Sequence, residues 1–550
     1  MMRHLFFLLA LLPLAALGQE KDKKPHHFRV TGSVQSDILV PQRDDAIGTG
    51  ELTDRFQTNT YVDLGVVSDH VDAGARFEFT QYPLPGFDAN FKGYGVRHGF
   101  LRLHYTKWEL TLGSFYEQFG SGFILRTYEE RSLGIDNSLL GGRFVVRPLR
   151  GVTVKALAGA QRSYWNVNRT LVSGADVELG LDQWIRPLAD SGTYVTLGAS
   201  WVGKYQTGQF FLADPTHRIN FPTTVNAFDV RARVQSHGFN ILAEYAVKGQ
   251  DPCLDNGYIF RQGHVAMLSA SYSKSGLSVL AQAKRSDNMM FRSKRIFNPN
   301  AEMGANKLNH LPAFAMDHTY SLAALYPYAT NPDGEWAFQA ELGYKFRKGT
   351  PLGGRYGTSF KLNASYIRAI DKRLVDGGAK GTEGYESDFC TLGDEVYYHD
   401  VNLQFEKKFS RAFKLNLMYM NQRYNKRAVE GEGGMVHSNI FVAEGKYQFS
   451  RKVTLRAELQ YLTTKQDEGD WAFALLECSF APHWMLAASD QWNCGGTGNH
   501  YYQGNVTYSH GSHRLQVGYG RTRAGFNCSG GTCRWVPATK GLTASYNYNF

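Results

Sequence analysis

Apolar and polar residues alternate along much of this chain with a period of two. Val453, Leu455, Ala457, Leu459 and Tyr461 fall on one side of an extended segment, and Thr454, Arg456, Glu458 and Gln460 on the other. Trp336, Phe338, Ala340, Leu342, Tyr344 and Phe346 oppose Gln339, Glu341, Gly343 and Lys345, and Phe228, Val230, Ala232 and Val234 oppose Asp229, Arg231, Arg233 and Gln235. Phe360 to Tyr366 and Val401 to Glu406 repeat the pattern. Successive side chains of a strand point to opposite faces, so each run predicts a strand between an apolar and a polar medium. The runs reach the 9 to 11 residues, roughly, that a tilted strand needs to cross a bilayer. A soluble sandwich or propeller also alternates, and strand length weighs against it.

The last run, Leu542, Ala544, Tyr546, Tyr548 and Phe550 against small or polar neighbours, places an aromatic residue at the carboxyl terminus. It resembles the C-terminal insertion signal of bacterial outer-membrane proteins, carried by Tyr546, Tyr548 and Phe550, which implies the outer-membrane insertion machinery as a partner. At the other end, Met1 to His4 form a basic region, Leu5 to Leu14 an apolar one, and Ala16-Leu17-Gly18 a small-x-small cleavage site. Residues 1–18 are expected to be a cleaved signal peptide, 19–27 a short periplasmic segment, and 28–550 a single all-β domain. The expected fold is one large transmembrane antiparallel β-barrel of about 24 strands, within 22 to 26. No independent plug domain fits between Gln19 and the first strand at Phe28, which argues against an energised receptor.

Connection lengths set the orientation, because periplasmic turns are short and extracellular loops long. Short joints occur at 68–70, 236–238, 274–276, 410–411, 450–451 and 509–513. Long polar connections are expected at 41–55, 83–95, 117–140, 204–223, 288–315, 371–396, 425–436, 489–499 and 523–539. Counting runs gives an odd number of strands, and the conflict falls between 287 and 397.

A wide barrel needs something to narrow it, and the 117–139 segment is the candidate. Phe119, Phe123, Ile124, Leu125, Leu133 and Ile135 would anchor it to the wall, leaving Arg126, Glu129, Glu130, Arg131 and Asp136 as a pore constriction. The competing reading pairs these charges with one another on an ordinary extracellular loop. The segment Gly113 to Asn137, with Tyr326-Pro327-Tyr328-Ala329 and Gly353-Gly354-Arg355-Tyr356-Gly357-Thr358, resembles an uncharacterised family of large outer-membrane barrel proteins of Bacteroidota. The resemblance implies a porin-like barrel with no established activity, and carries over no site residue.

The polar faces of the strands hold charges of both signs, among them Arg231, Arg233, Glu244, Arg456 and Glu458, so neither phosphate nor cation selectivity is expected. With 60 Lys and Arg against 50 Asp and Glu, any preference is weakly anionic, and basic loops suit lipopolysaccharide phosphates. Nucleic acid is not expected, because no single patch concentrates the charge. Six cysteines in an exported chain suggest disulfides. Cys528 and Cys533, across a Gly-rich spacer, are expected to bond, and pairings among Cys253, Cys390, Cys478 and Cys494 stay open. No metal or cofactor is expected. Neither a Gly-x-Ser-x-Gly elbow nor a His-Glu-x-x-His pair occurs, so no catalytic residue is nominated. Two functions remain: a porin-like channel for passive solute passage, or a sealed scaffold that docks a protein or glycan, with an extracellular or periplasmic partner unidentified.

Overall fold

A computed structural model describes residues 28–550, apart from Thr53, Gln209, 299–304, 530 and 531. The expected signal peptide and the segment 19–27 lie outside the described residues. Twenty-four strands form one antiparallel sheet. It closes on itself, because the first strand, Phe28–Pro41, pairs with both Gln57–Ser68 and the last strand, Thr539–Asn549. Closure satisfies every strand edge, the condition a sheet must meet in lipid.

The register carries the alternation around the ring. Leu417, Phe441 and Leu459 stand exposed on the outer surface, as do Phe228 and Val230. Their neighbours Met418, Val442, Glu458, Ala227 and Asp229 turn inward and are buried. All of Arg76, Glu78, Arg231, Glu244, Arg456 and Glu458 lie on the inner face.

The odd strand count resolves in the stretch where it arose. Between the strands Leu277–Asp287 and Glu335–Phe346 the described residues contain no barrel strand. The connection expected at 288–315 runs on to residue 334, because its apolar residues pack inside the barrel and do not face lipid. A second correction concerns the long-loop rim: strands Val152–Ser163 and Asn166–Gly180 are joined there by only Tyr164 and Trp165. The opposite rim also carries two connections longer than tight turns, 181–192 with the short helix Arg186–Asp190, and 347–357.

Burial along the inward side chains shows where the lumen is filled. On Thr224–Ser236, Val225, Ala227 and Asp229 are buried while Arg233 and Gln235, nearer the short-turn rim, are exposed. On Val453–Thr464 the inward Glu458, Gln460, Leu462 and Thr464 are buried, and Thr454 and Arg456 are half-buried. A body therefore occupies the long-loop half of the barrel, above a vestibule open to the short-turn rim.

Candidate functional site

Two segments of the chain make that body. The first leaves the strand Trp108–Phe115 and returns at Leu139–Val146. Gly120 adopts a left-handed φ of 51°, and a Cβ there would lie 2.5 Å from a Glu244 carboxylate oxygen, so no larger residue fits. The tight approach lets Ser121 donate to Glu244 from its backbone N–H (2.8 Å) and its hydroxyl (2.6 Å). Phe119, Phe123, Ile124 and Leu125 are wholly buried.

The second segment, 288–334, is sewn to the first and to the wall. The Arg126 N–H donates to the Leu308 carbonyl (2.7 Å), the Asn309 amide to the Phe123 carbonyl (2.9 Å), and the His310 N–H to the Gly122 carbonyl (2.9 Å). Three inward lysines donate to its carbonyls: Lys204 to Arg292 (2.9 Å), Lys248 to Met290 (2.6 Å) and Lys284 to Pro312 (2.5 Å). Lys204 and Arg295 share Asp251, and Lys284 also meets Glu335 at 2.9 Å. Burial alone would raise the Asp251 carboxyl, but Lys204, Lys248 and Arg295 hold it below the usual range. Phe291, Leu308, Leu311, Phe314, Leu322 and Tyr328 join Phe119 to Leu125 in one core that reaches wall residues from Leu157 to Trp471.

Three of the residues nominated for a constriction, Glu129, Arg131 and Asp136, bind the wall on which they lie. Glu129 accepts two bonds from the Arg76 guanidinium (2.7 and 2.9 Å) and one from Arg131 (2.8 Å). Arg131 reaches Asp63 at 2.9 Å, and Asp136 meets Arg162 at 2.6 Å. Burial pushes the Asp136 carboxyl up, and the guanidinium groups of Arg162 and Arg76 reverse this and hold it low. Glu130 accepts from the Ser132 hydroxyl, and Arg126 lies over the Tyr128 ring. Glu129, Arg131 and Asp136 are therefore paired on their own side of the barrel, in a network that also takes in Glu78, whereas Glu130 and Arg126 contact neighbours within the segment. Arg231 likewise engages Asp176, Glu178 and Asp229, and Arg456 engages Glu444, Glu458 and Glu477; Arg233 is exposed.

Sequence reasoning read 288–315 as a long polar connection and missed its inward packing, although it carries the same mixture as the first segment: Met289, Phe291, Leu308, Leu311 and Phe314 beside Arg292, Arg295 and Lys307. It also missed the partners Asp63, Arg162, Lys204 and Asp251, whose importance follows only from what crosses the lumen.

The filling is one-sided. From Gly198 round to Leu462 the inward residues of the long-loop half are mostly buried, whereas Phe473, Leu475, Ser489, Gln503, Asn505, Gln516, Ser545, Asn547, Ser33 and Gln35 keep partial exposure. A ring of 24 strands spaced about 4.8 Å apart and tilted about 40° has a perimeter of about 150 Å, or about 48 Å across if round. A compact body of about 70 residues, the size of the two segments together, is about 28 Å across. By itself it does not span such a ring, and the 523–536 connection also reaches it, Arg523 donating to the Leu325 carbonyl (3.4 Å).

At the seam, Gly32 and Phe550 exchange backbone hydrogen bonds of 3.0 and 2.9 Å, and the Phe550 ring occupies the space a Gly32 side chain would take. Tyr548 stacks on His513, and the Tyr546 hydroxyl meets the same imidazole. Cys533 is disulfide-bonded and stands opposite Cys528 in the hairpin 525–536, while Cys253, Cys390, Cys478 and Cys494 are free thiols. Among the described residues no group of three or more His, Cys, Asp or Glu could hold a metal ion.

No curated protein matches this chain. Among solved structures, it is similar to the P pilus usher (PapC) translocation pore at 12% identity, over 95% of this chain and 99% of that one, with a TM-score of 0.41. The siderophore receptor PirA from Pseudomonas aeruginosa matches at 10% identity over 96% and 81%, TM-score 0.41. OccAB3 from Acinetobacter baumannii matches at 9% identity over 95% and 99%, TM-score 0.35. One family model matches residues 1–550, and the chain belongs to that family, the family of unknown function DUF6029.

Proposed function

We propose that the protein is a porin-like outer-membrane barrel whose two inward segments close one side of the lumen and leave a passage along the other. The observation that carries this reading is the contrast in burial between the arc from Gly198 to Leu462 and the arc from Phe473 through the seam to Tyr61. Gln503, Asn505, Gln516, Ser545, Asn547 and Ser33 line the second arc with amides and hydroxyls, and at its edge Gln35 accepts from Arg131 of the first segment (3.2 Å). Such a lining exchanges hydrogen bonds with a neutral polar solute, and the Asp37 carboxylate among these groups, which accepts from Gln35 and Ser545, disfavours an anion. The role is passive and non-catalytic, in the outer membrane of a Bacteroidota cell. The protein would reach that membrane through a cleaved signal peptide and the insertion machinery, with its long loops among lipopolysaccharide.

The test is swelling of liposomes that contain the purified barrel, in small neutral sugars and in anions of similar size. Sugars should enter faster. Bulky substitutions on the open arc, N505W with S545W, should cut the rate severalfold, whereas Q235W, at an exposed position below the filled arc, should not. A folded barrel that admits neither class would make the second reading correct: a sealed scaffold, favoured by the hydrogen bonds and buried ion pairs that tie both segments to the wall.

A further inference from the structure

The short-turn rim carries charge that nothing else in the molecule uses. Three connections that follow one another around the ring, in the stretches 345–357, 407–414 and 446–453, hold eleven Lys and Arg and no Asp or Glu. Among the described residues only Lys414 of these has an ion pair, with Glu406 at 2.6 Å. Arg347, Lys348, Arg355, Arg411, Arg451 and Lys452 are all exposed. The family-like motif Gly353 to Thr358 lies in the first of these connections.

The register makes the arrangement costly. Lys408 stands opposite Lys414, Lys414 opposite Lys446, and Lys446 opposite Arg456, on four successive strands. Like charges directly opposite one another destabilise a sheet. Carboxylates deeper in the vestibule relieve two of the four: Glu406 pairs with Lys414, and Glu444, Glu458 and Glu477 with Arg456. Lys408 and Lys446 remain exposed and without an ion pair, on the lumen side of the wall. The ion pairs of Lys414 and Arg456 leave Lys408 and Lys446 as the two members whose charge the fold does not offset.

We propose that this crescent is a docking site for an acidic polypeptide that approaches the vestibule from the short-turn side, the periplasm in the orientation given above. Three observations favour that occupant over lipid headgroups. Lipid surrounds the whole rim, yet its cations concentrate on one arc of it: 237–238, 481–483 and 511–512 carry no Lys or Arg, and 147–151 carries two. Lys408 and Lys446 face the lumen, out of reach of the surrounding leaflet. The arc covers six strands, about 37 Å at the spacing and tilt of such sheets. That width suits a protein face of standard interface size and exceeds what a small anion needs. The row also lies beneath the filled arc, where a solute would meet a blind end.

The test uses the full barrel in nanodiscs of zwitterionic lipid and a fluorescent decaglutamate peptide as probe, with binding read by anisotropy. Saturable binding that weakens with salt is expected. K408Q with K446Q, and separately R411Q with R451Q and K452Q, should each weaken it at least tenfold. R147Q with R150Q, rim cations of another arc, should leave it within twofold. Because the first pair removes like-charge repulsion, its heat-resistant fraction on gels should match or exceed that of the parent barrel, which a merely structural role would not produce. Equal weakening by R147Q with R150Q would reduce the effect to net charge and overturn the proposal. So would peptide binding unchanged by both crescent variants, accompanied by loss of phosphatidylglycerol from nanodiscs of mixed lipid, which would assign the crescent to lipid. Absence of saturable binding would overturn it outright.

Discussion

Gly32 and Phe550 close the barrel through a fit between a missing side chain and a ring. A Cβ at Gly32 would stand 2.4 Å from the Phe550 ring. G32V should therefore force the terminal ring out of place and cost about 1–3 kcal/mol, as overpacking does. The measurement is the temperature at which the folded band on a gel is lost, and an unchanged temperature would show that the seam does not depend on the contact. Arg76 is the residue on which the first inward segment depends most. It binds Asp63 at 2.6 Å and Glu129 at 2.7 Å and approaches Asp136 at 3.5 Å. R76A leaves three partly buried carboxylates without that partner and should destabilise by about 3–5 kcal/mol. Protease cleavage between Arg126 and Arg131, resisted by the parent, would report the release. Of these two residues, the alternation places Arg76 inward, but nothing in the sequence pairs it with Glu129, because 53 positions separate them.

The two inward segments differ in how much of the barrel they engage. Residues 116–138 are held by the wall near Arg76, Arg162 and Glu244, while 288–334 contacts Lys204, Lys284, Asp400, Gln422 and Gln491 around the ring. Replacing 288–334 with a short Gly/Ser linker should thus raise single-channel conductance more than the same replacement of 117–138. Equal conductance changes would mean that the second segment does not limit the passage. Both segments are tied by carboxylates that neighbouring cations hold low against the effect of burial: Glu117 by Lys155 and Arg143, Asp136 by Arg162, Asp251 by Lys204. A depressed carboxylate stabilises the fold above its unfolded value, about 3.9 for Asp and 4.3 for Glu, and that contribution disappears as pH falls through the folded value. Conductance should be flat from pH 8 to 6 and rise below about pH 4 as the segments loosen. A rise near pH 6 would overturn the assignment to these carboxylates. The first segment was legible because apolar anchors and charges alternate within a glycine-containing loop. The second has the same composition, but it was read as a long polar connection over 288–315, and the odd count between 287 and 397 was the sign that more of the stretch lies outside the wall.

For the whole molecule, the chain's own alternation determined the all-β class, the closed antiparallel barrel, the strand number to within its even neighbours, and the connection lengths at most turns. A strand between lipid and water needs a period of two wherever it sits in the ring, so this information is local and survives in the order of residues. The terminal run ending at Phe550 and the short joints at 236–238 and 450–451 are of the same kind. The tertiary structure alone decided what fills the lumen, which inward charges are neutralised, and which arc stays open. Those outcomes depend on residues brought together from distant parts of the chain, such as Lys204 with Asp251 and Arg292, or Ser121 with Glu244. The basic rim shows both levels at once. Its lysines and arginines can be counted in the sequence, but only the register sets Lys408, Lys414, Lys446 and Arg456 side by side, since pairing between strands, not position along them, determines which like charges must face each other.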